Sequence, residues 1–344
     1  MYDGLYSGLS GGRMRRPSPL FMVLVGVAVA MAIGAGVFLL VLREAPPPFT
    51  GNAIWLGVTW VKDPHVEEEI SLLGRHLSEY SVRYVYVYVS WFRNDTNTWN
   101  PTYDHARDFV HTLKQAAPEV RILGWLGVPS RSTDGTYRLG SETVRTRVAQ
   151  FAQRSVEQFG FDGVHINVES VFDGDEDFLL LLQEMRDLLG PEVLLSVAVP
   201  PDWNPGRPEV PAGPNTDVGM VWSQAYKQQV GALVDQVAVM AYNSGLETSS
   251  DYEAWVAYQV EQFSTALADV PSDVELIMGV PTYADEVGHD CWVENLRAAL
   301  NGVHDGLRRA GSAGSVVAGV GLYAFWDTDA VEWALYRQMW LRAR

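Results

Sequence analysis

Cysteine is almost missing from this chain: Cys291 is the single one in 344 residues. An internal disulfide and a zinc site built from thiolates are therefore excluded. Basic side chains are scarce too, 25 Lys and Arg against 42 Asp and Glu, for a net charge of −17. Phosphate recognition needs clustered cations, so nucleic acid is excluded as a partner. The His residues, at 65, 76, 105, 111, 165, 289 and 304, show no H-E-x-x-H spacing, and neither a metal site nor a cofactor is expected. No Gly-rich phosphate loop follows the first apolar run, where Ile54-Trp55-Leu56-Gly57-Val58-Thr59-Trp60 leads into Lys62-Asp63-Pro64. What the chain has in quantity is flat amphipathic side chains, 12 Trp and 15 Tyr, of the kind that line sugar sites.

The charge is unevenly placed. Residues 1–43 carry Asp3 against Arg13, Arg15, Arg16 and Arg43, which leaves −20 for the remaining 301 residues. Residues 20–42 are 23 in a row without a charge, long enough to cross a bilayer and too long for a cleaved signal. The expectation is a basic cytoplasmic tail over 1–19, a retained anchor over 20–42 and a Pro-rich spacer over 43–52. The folded domain, 53–344, then lies outside the cytoplasm, because positive flanks stay inside.

Past the spacer, one pattern repeats eight times: an apolar, β-branched or aromatic run, a turn, then a helix-period stretch. The runs are 54–60, 83–91, 120–128, 162–169, 193–200, 235–242, 274–281 and 318–326. Helices are expected over 65–80, 104–117, 141–159, 175–189, 251–268, 290–310 and 328–341, several opening on a Ser or Asp cap. The fifth unit is interrupted by a Pro- and Gly-rich loop over 201–219. Eight strand-helix units predict an α/β fold, a (β/α)8 barrel behind one transmembrane helix, with its site at the C-terminal ends of the strands.

The fourth run carries the strongest chemistry: Phe161-Asp162-Gly163-Val164-His165-Ile166-Asn167-Val168-Glu169-Ser170. Alternation sends Val164, Ile166 and Val168 toward the helices, and His165, Asn167 and Glu169 into the barrel. Three buried polar groups in a row are costly unless they are bonded or used. Tyr86 and Tyr88 share the inward face of the second strand. Asp202 and Trp203 after the fifth strand, and Trp91, Arg93 and Asn94 after the second, occupy loops suited to lining a cleft.

These marks resemble glycoside hydrolase family 18, the chitinase-like barrels. The family's fourth strand reads D-G-x-D-x-D-x-E, which Asp162, Gly163 and Glu169 match. Met240-Ala241-Tyr242-Asn243 is similar to its M-x-Y-D, and Gly279-Val280-Pro281-Thr282-Tyr283 to its G-x-P-x-Y. Trp326 stands where the family keeps a Trp at the end of strand eight. The resemblance implies Glu169 as the acid/base of a substrate-assisted retaining hydrolysis, in which the sugar's 2-acetamido oxygen replaces an enzyme nucleophile. It implies Asn167 beside the acetamido N–H, Tyr242 on its carbonyl and Trp326 as the floor. His165, Met240, Asn243, Tyr283, Tyr88 and Trp203 are then substrate-binding candidates.

Three positions depart from the family: His165 and Asn167 replace the two middle Asp residues, and Asn243 replaces the sixth-strand Asp. An Asn amide can accept the acetamido N–H but brings no negative charge. A catalytically weak glycan-binding barrel is therefore one alternative. A two-carboxylate retaining glycosidase pairing Glu169 with Glu286 is another. The expected partner is an N-acetylhexosamine glycan, peptidoglycan or chitin-like. Only about 36 residues separate Pro281 from Ala318, so the α+β insertion common in the family is not expected there.

Overall fold

The computed structural model describes residues 49–203, 207, 209–215, 220–284 and 289–342. The expected tail and anchor over 1–42 lie outside the described residues, and among those described no helix is long and apolar enough to cross a membrane. Eight parallel strands close on themselves in chain order: β1 (Ala53–Leu56), β2 (Tyr84–Trp91), β3 (Arg121–Pro129), β4 (Gly163–Glu169), β5 (Leu194–Val199), β6 (Gln236–Met240), β7 (Glu275–Pro281) and β8 (Val317–Tyr323). Each falls within one residue of an expected run at its start, and the domain is the (β/α)8 barrel the repeat implied.

Alternation builds two cores. Outward residues such as Ile54, Val87, Ile122, Ile166, Val197, Val239 and Leu322 pack under the helices. Inward ones, Trp55, Tyr86, Leu123 and Ile277 among them, fill the barrel. The Trp55 ring fits only because β7 and β8 present glycine to it. A Cβ on Gly321 would stand 2.6 Å from that ring, and one on Gly279 would meet it at 3.6 Å.

The two residues that open the fourth-strand motif have structural work. Asp162 accepts the Ile122 N–H at 2.9 Å and pairs with Lys114 at 2.7 Å, tying β4 to β3. Gly163 lies so close to β5 that a Cβ would fall 2.1 Å from the Leu194 carbonyl oxygen. At the N-terminal end of the barrel, buried Asn52 accepts from the Trp340 indole at 2.6 Å and from Val320 N–H at 3.3 Å. Phe49 stacks on Trp340 at 4.4 Å.

Strand ends differ from expectation where the backbone turns. β1 stops at Leu56 and a helical turn occupies Thr59–Lys62. β6 stops at Met240, two residues ahead of Tyr242, and Asn243 takes a left-handed φ of 56°. β8 stops three residues short of Trp326. The helix expected from Asp290 starts at Leu296, capped by Asn295, because Asp290 instead closes a turn onto the N–H groups of Trp292, Val293 and Glu294.

Candidate active site

Side chains of β4 climb the barrel interior like rungs. His165 is fully buried, Asn167 is 9% exposed, and Glu169 reaches the open mouth. His165 belongs to the packed interior: its Nε2 accepts from Trp55 Nε1–H at 3.3 Å and its Nδ1–H donates to Ser196 Oγ at 2.9 Å. Ser196 passes its own proton to Gln236 Oε1 at 3.0 Å, which fixes the Nδ1–H tautomer. The ring lies flat on Tyr86 at 3.9 Å. Burial holds its pKa down at about 3, so His165 is a neutral, fully bonded residue below the cavity.

Above it, Asn167 Nδ2 donates to Glu169 Oε1 at 2.7 Å, while Asn167 Oδ1 is buried without a partner. Both residues line a cavity of about 670 Å³ at the C-terminal mouth of the barrel. Its other walls are Tyr88 and Trp91 from β2, Trp125, Gly127, Val128 and Pro129 from β3, and Tyr323 from β8. Gly127 is a contact point: a Cβ there would meet the Tyr88 hydroxyl at 3.1 Å. Burial, then the nearby Glu169 carboxyl, raises the Tyr88 pKa. Glu169 is the one carboxylate among the described residues of this cavity.

Aromatic rings continue around the mouth. Tyr242 stacks on Tyr323 at 4.9 Å and meets Tyr283 edge-on at 6.0 Å. Burial, then Tyr323, Tyr283 and Glu169 in turn, pushes the Tyr242 hydroxyl well above its ordinary pKa, so it stays a neutral donor. Tyr283 is buried and stacks on His289 at 3.9 Å. Met240 ends β6, half-buried and on its inward face.

Other candidates stand elsewhere. The strand-eight ring in the cavity wall is Tyr323, and Trp326, half exposed, meets it edge-on at 5.7 Å and packs over Gly57. Trp203 lines a separate cavity of about 460 Å³ with Trp222 and Tyr258, beside the buried Lys227–Asp202 ion pair. Asn243 accepts from Asn215 Nδ2 through both its side chain and its carbonyl, at 3.0 Å each, so it ties two loops together. Asn94 accepts from Arg138 at 2.5 Å, and Arg93 pairs with Asp95 at 2.6 Å. Glu286 lies outside the described residues. Among those described, no group of His, Cys, Asp and Glu is placed to hold a metal. Trp125 and Tyr323 escaped the sequence reading, although strand alternation from Leu123 and from Gly321 points both inward.

Comparison with known proteins follows this geometry. Solved structures with the same fold include the spore cortex-lytic enzyme SleL of Bacillus cereus, at 13% identity and TM-score 0.56, covering 86% of this chain and 75% of SleL. A GH18 chitinase of Cycas revoluta, solved in complex with (GlcNAc)4, matches at 15% identity and TM-score 0.56 over 84% of this chain and 99% of its own. A class V chitinase of Pseudomonas fluorescens matches at 14% and 0.53, over 85% and 99%. No curated protein sequence matches. The model of glycosyl hydrolases family 18 matches residues 75–295, a span that holds Asn167, Glu169, Tyr242 and Tyr283. This chain belongs to glycosyl hydrolases family 18.

Proposed function

We propose that this protein is a membrane-anchored, extracytoplasmic glycoside hydrolase of N-acetylhexosamine glycans, peptidoglycan or chitin-like, with Glu169 as acid/base. The observation that carries the reading is the Asn167–Glu169 pair lining an aromatic cavity, with the Asn167 oxygen left over. Asn167 donates to Oε1, so the proton Glu169 delivers to the glycosidic oxygen sits on Oε2. A buried acceptor without a partner costs about 1–3 kcal/mol, which a substrate acetamido N–H at Oδ1 recovers on binding. The Tyr242 hydroxyl serves the acetamido carbonyl, whose oxygen attacks the anomeric carbon from within the sugar. Tyr323 supports the apolar face of the ring.

The chitinase solved with (GlcNAc)4 and the cortex-lytic SleL support a glycan of this class. The anchor rests on the uncharged run 20–42 behind Arg13, Arg15 and Arg16. A soluble mature form beginning near Ala45 overturns that part.

The test is Glu169→Gln, assayed on N-acetylglucosamine oligomers by turnover and by binding. Turnover falls about 100- to 10,000-fold while affinity holds, since the amide keeps the shape and loses the acidic proton. Retained turnover sinks the assignment. The uncharged Asn167 favours a second reading, a binding barrel with little catalysis; wild type that binds oligomers and turns over none decides for it.

A further inference from the structure

The cavity of about 460 Å³ that takes Trp203 shares no described lining residue with the one that holds Glu169. Its volume is that of a small-molecule site, about 300–1,000 Å³. It lies between the loop after β5 and two helices, Gln224–Gly231 and Ser249–Ala268. The loop supplies Asp202 and Trp203, and the first helix supplies Lys227. From the second helix come Tyr258, Gln262 and Thr265, spaced i, i+4 and i+7 so that one helix face forms a wall. Three of these polar side chains are more than nine-tenths buried: Asp202 is 5% exposed, Lys227 4% and Tyr258 1%.

Asp202 is clamped in place. Its N–H donates to Gln259 Oε1 at 2.6 Å, its carbonyl accepts from Gln259 Nε2 at 2.8 Å, and its Oδ2 accepts from Lys227. Lys227 gives a second proton to the Trp222 carbonyl at 2.8 Å and sets its ammonium 5.0 Å from the Phe263 ring. Among the described residues Asp202 Oδ1 has no hydrogen bond, and neither has the Tyr258 hydroxyl. Burial, then the Asp202 carboxylate, raises the Tyr258 pKa, so the phenol is a neutral donor. One fixed acceptor and one fixed donor, both costly to leave unbonded, thus face a cavity that an indole also lines. The ion pair settles which ligand suits them. Lys227 cancels the charge of Asp202, so neither an anion nor a cation finds an uncompensated partner there. Asp173, in the same wall, accepts the Ser223 N–H at 2.7 Å, and Arg207, 5.7 Å from the Tyr258 ring, pairs with Glu209 and Glu261. A neutral ring carrying adjacent hydroxyls fits: one hydroxyl donates to Asp202 Oδ1, the next accepts from Tyr258, and the C–H face meets Trp203.

We infer that this cavity is a second saccharide site, separate from Glu169, which holds a sugar of the glycan without cutting it. The inference rests on the proposed glycan reading for the identity of that sugar. Holding the polymer at a second point raises its effective concentration at the first without any new contact there. The test titrates the full-length chain in detergent with the N-acetylglucosamine trimer, by calorimetry, in Glu169→Gln so that turnover does not intervene. Two sites are expected. Tyr258→Phe removes one hydroxyl and keeps the ring, and should weaken one site about threefold to tenfold. Trp203→Ala should weaken the same site about tenfold, and Tyr242→Phe only the other. With Glu169 intact, Tyr258→Phe should leave kcat/KM on the trimer unchanged, while less protein is retained on an immobilised N-acetylglucosamine polymer. Trimer binding that neither Tyr258→Phe nor Trp203→Ala weakens overturns the second site, even where Tyr242→Phe shows the first to be real. A diamine that binds more tightly than the trimer, and loses that affinity in Tyr258→Phe, overturns the saccharide class. No turnover by wild type, with a trimer site that depends on Tyr258, sinks hydrolysis and supports the second site.

Discussion

Asn167→Asp is the most informative single change, because it swaps one atom of the Asn167–Glu169 contact. The Nδ2–H that now donates to Glu169 Oε1 at 2.7 Å becomes a carboxylate oxygen. Two negative charges about 3 Å apart repel by roughly 1.4 kcal/mol if water screens them fully and by about 5.5 kcal/mol at an effective dielectric near 20. Glu169 stands at an open mouth, so the lower half of that range applies. The pair then shares one proton, and the acid stays protonated to higher pH. Its neighbours do not interfere: Tyr88 and Tyr242 both have raised pKa values and remain neutral across the working range. The assay is kcat/KM against pH on an N-acetylglucosamine oligomer. The alkaline limb should move up by at least one pH unit. With a negative charge returned beside the developing cation, the plateau should rise by up to about 100-fold. An alkaline limb that does not move refutes the claim that the 167 side chain governs the protonation of Glu169.

Three further outcomes follow from the barrel interior. His165 is neutral when folded, with a pKa near 3, and takes a proton near pH 6.5 once unfolded, so the unfolded state binds more protons between those values. Its contribution costs about 1.4 kcal/mol of stability for each pH unit below 6.5; Glu332, raised to about 7 by burial, works in the opposite direction. The denaturant midpoint of wild type should therefore fall more steeply from pH 6.5 to pH 4 than that of His165→Gln, and parallel curves would contradict the assignment. Gly321→Ala places a methyl 2.6 Å from Trp55 and should cost about 1–3 kcal/mol, read as a lowered Tm; an unchanged Tm would show that the Trp55 ring can move. Lys227→Met strands the buried Asp202 carboxylate and should destabilise by about 3–5 kcal/mol in denaturant titration, while Lys227→Met with Asp202→Leu recovers much of the loss.

The barrel was legible in the sequence because its two periods are local. Strand alternation makes Val164, Ile166 and Val168 apolar and leaves His165, Asn167 and Glu169 to the interior, and the helices between repeat eight times. Glu169 was legible for the same reason: a carboxylate closing an inward row has few structural uses. Rank along the barrel axis was harder to read. Residues 165, 167 and 169 share one face, yet only depth separates a sealed histidine from a carboxylate at the mouth, and depth is set by Trp55, Tyr86 and Ser196 arriving from three other strands.

Where strands end, local pattern loses its hold. Tyr323, rather than Trp326, is in the cavity wall because β8 stops pairing at Tyr323, opposite Pro281 of β7. Trp203 enters a second cavity, and Asn243 spends its side chain on Asn215, since loops take their direction from whatever packs beneath them. The sequence by itself determined the number of strands, the face each residue takes and the acid at the mouth, because hydrophobic periodicity encodes facing within one element. Only the tertiary structure decided which rings stand around that acid, because closing a ring of strands brings together residues more than 200 positions apart.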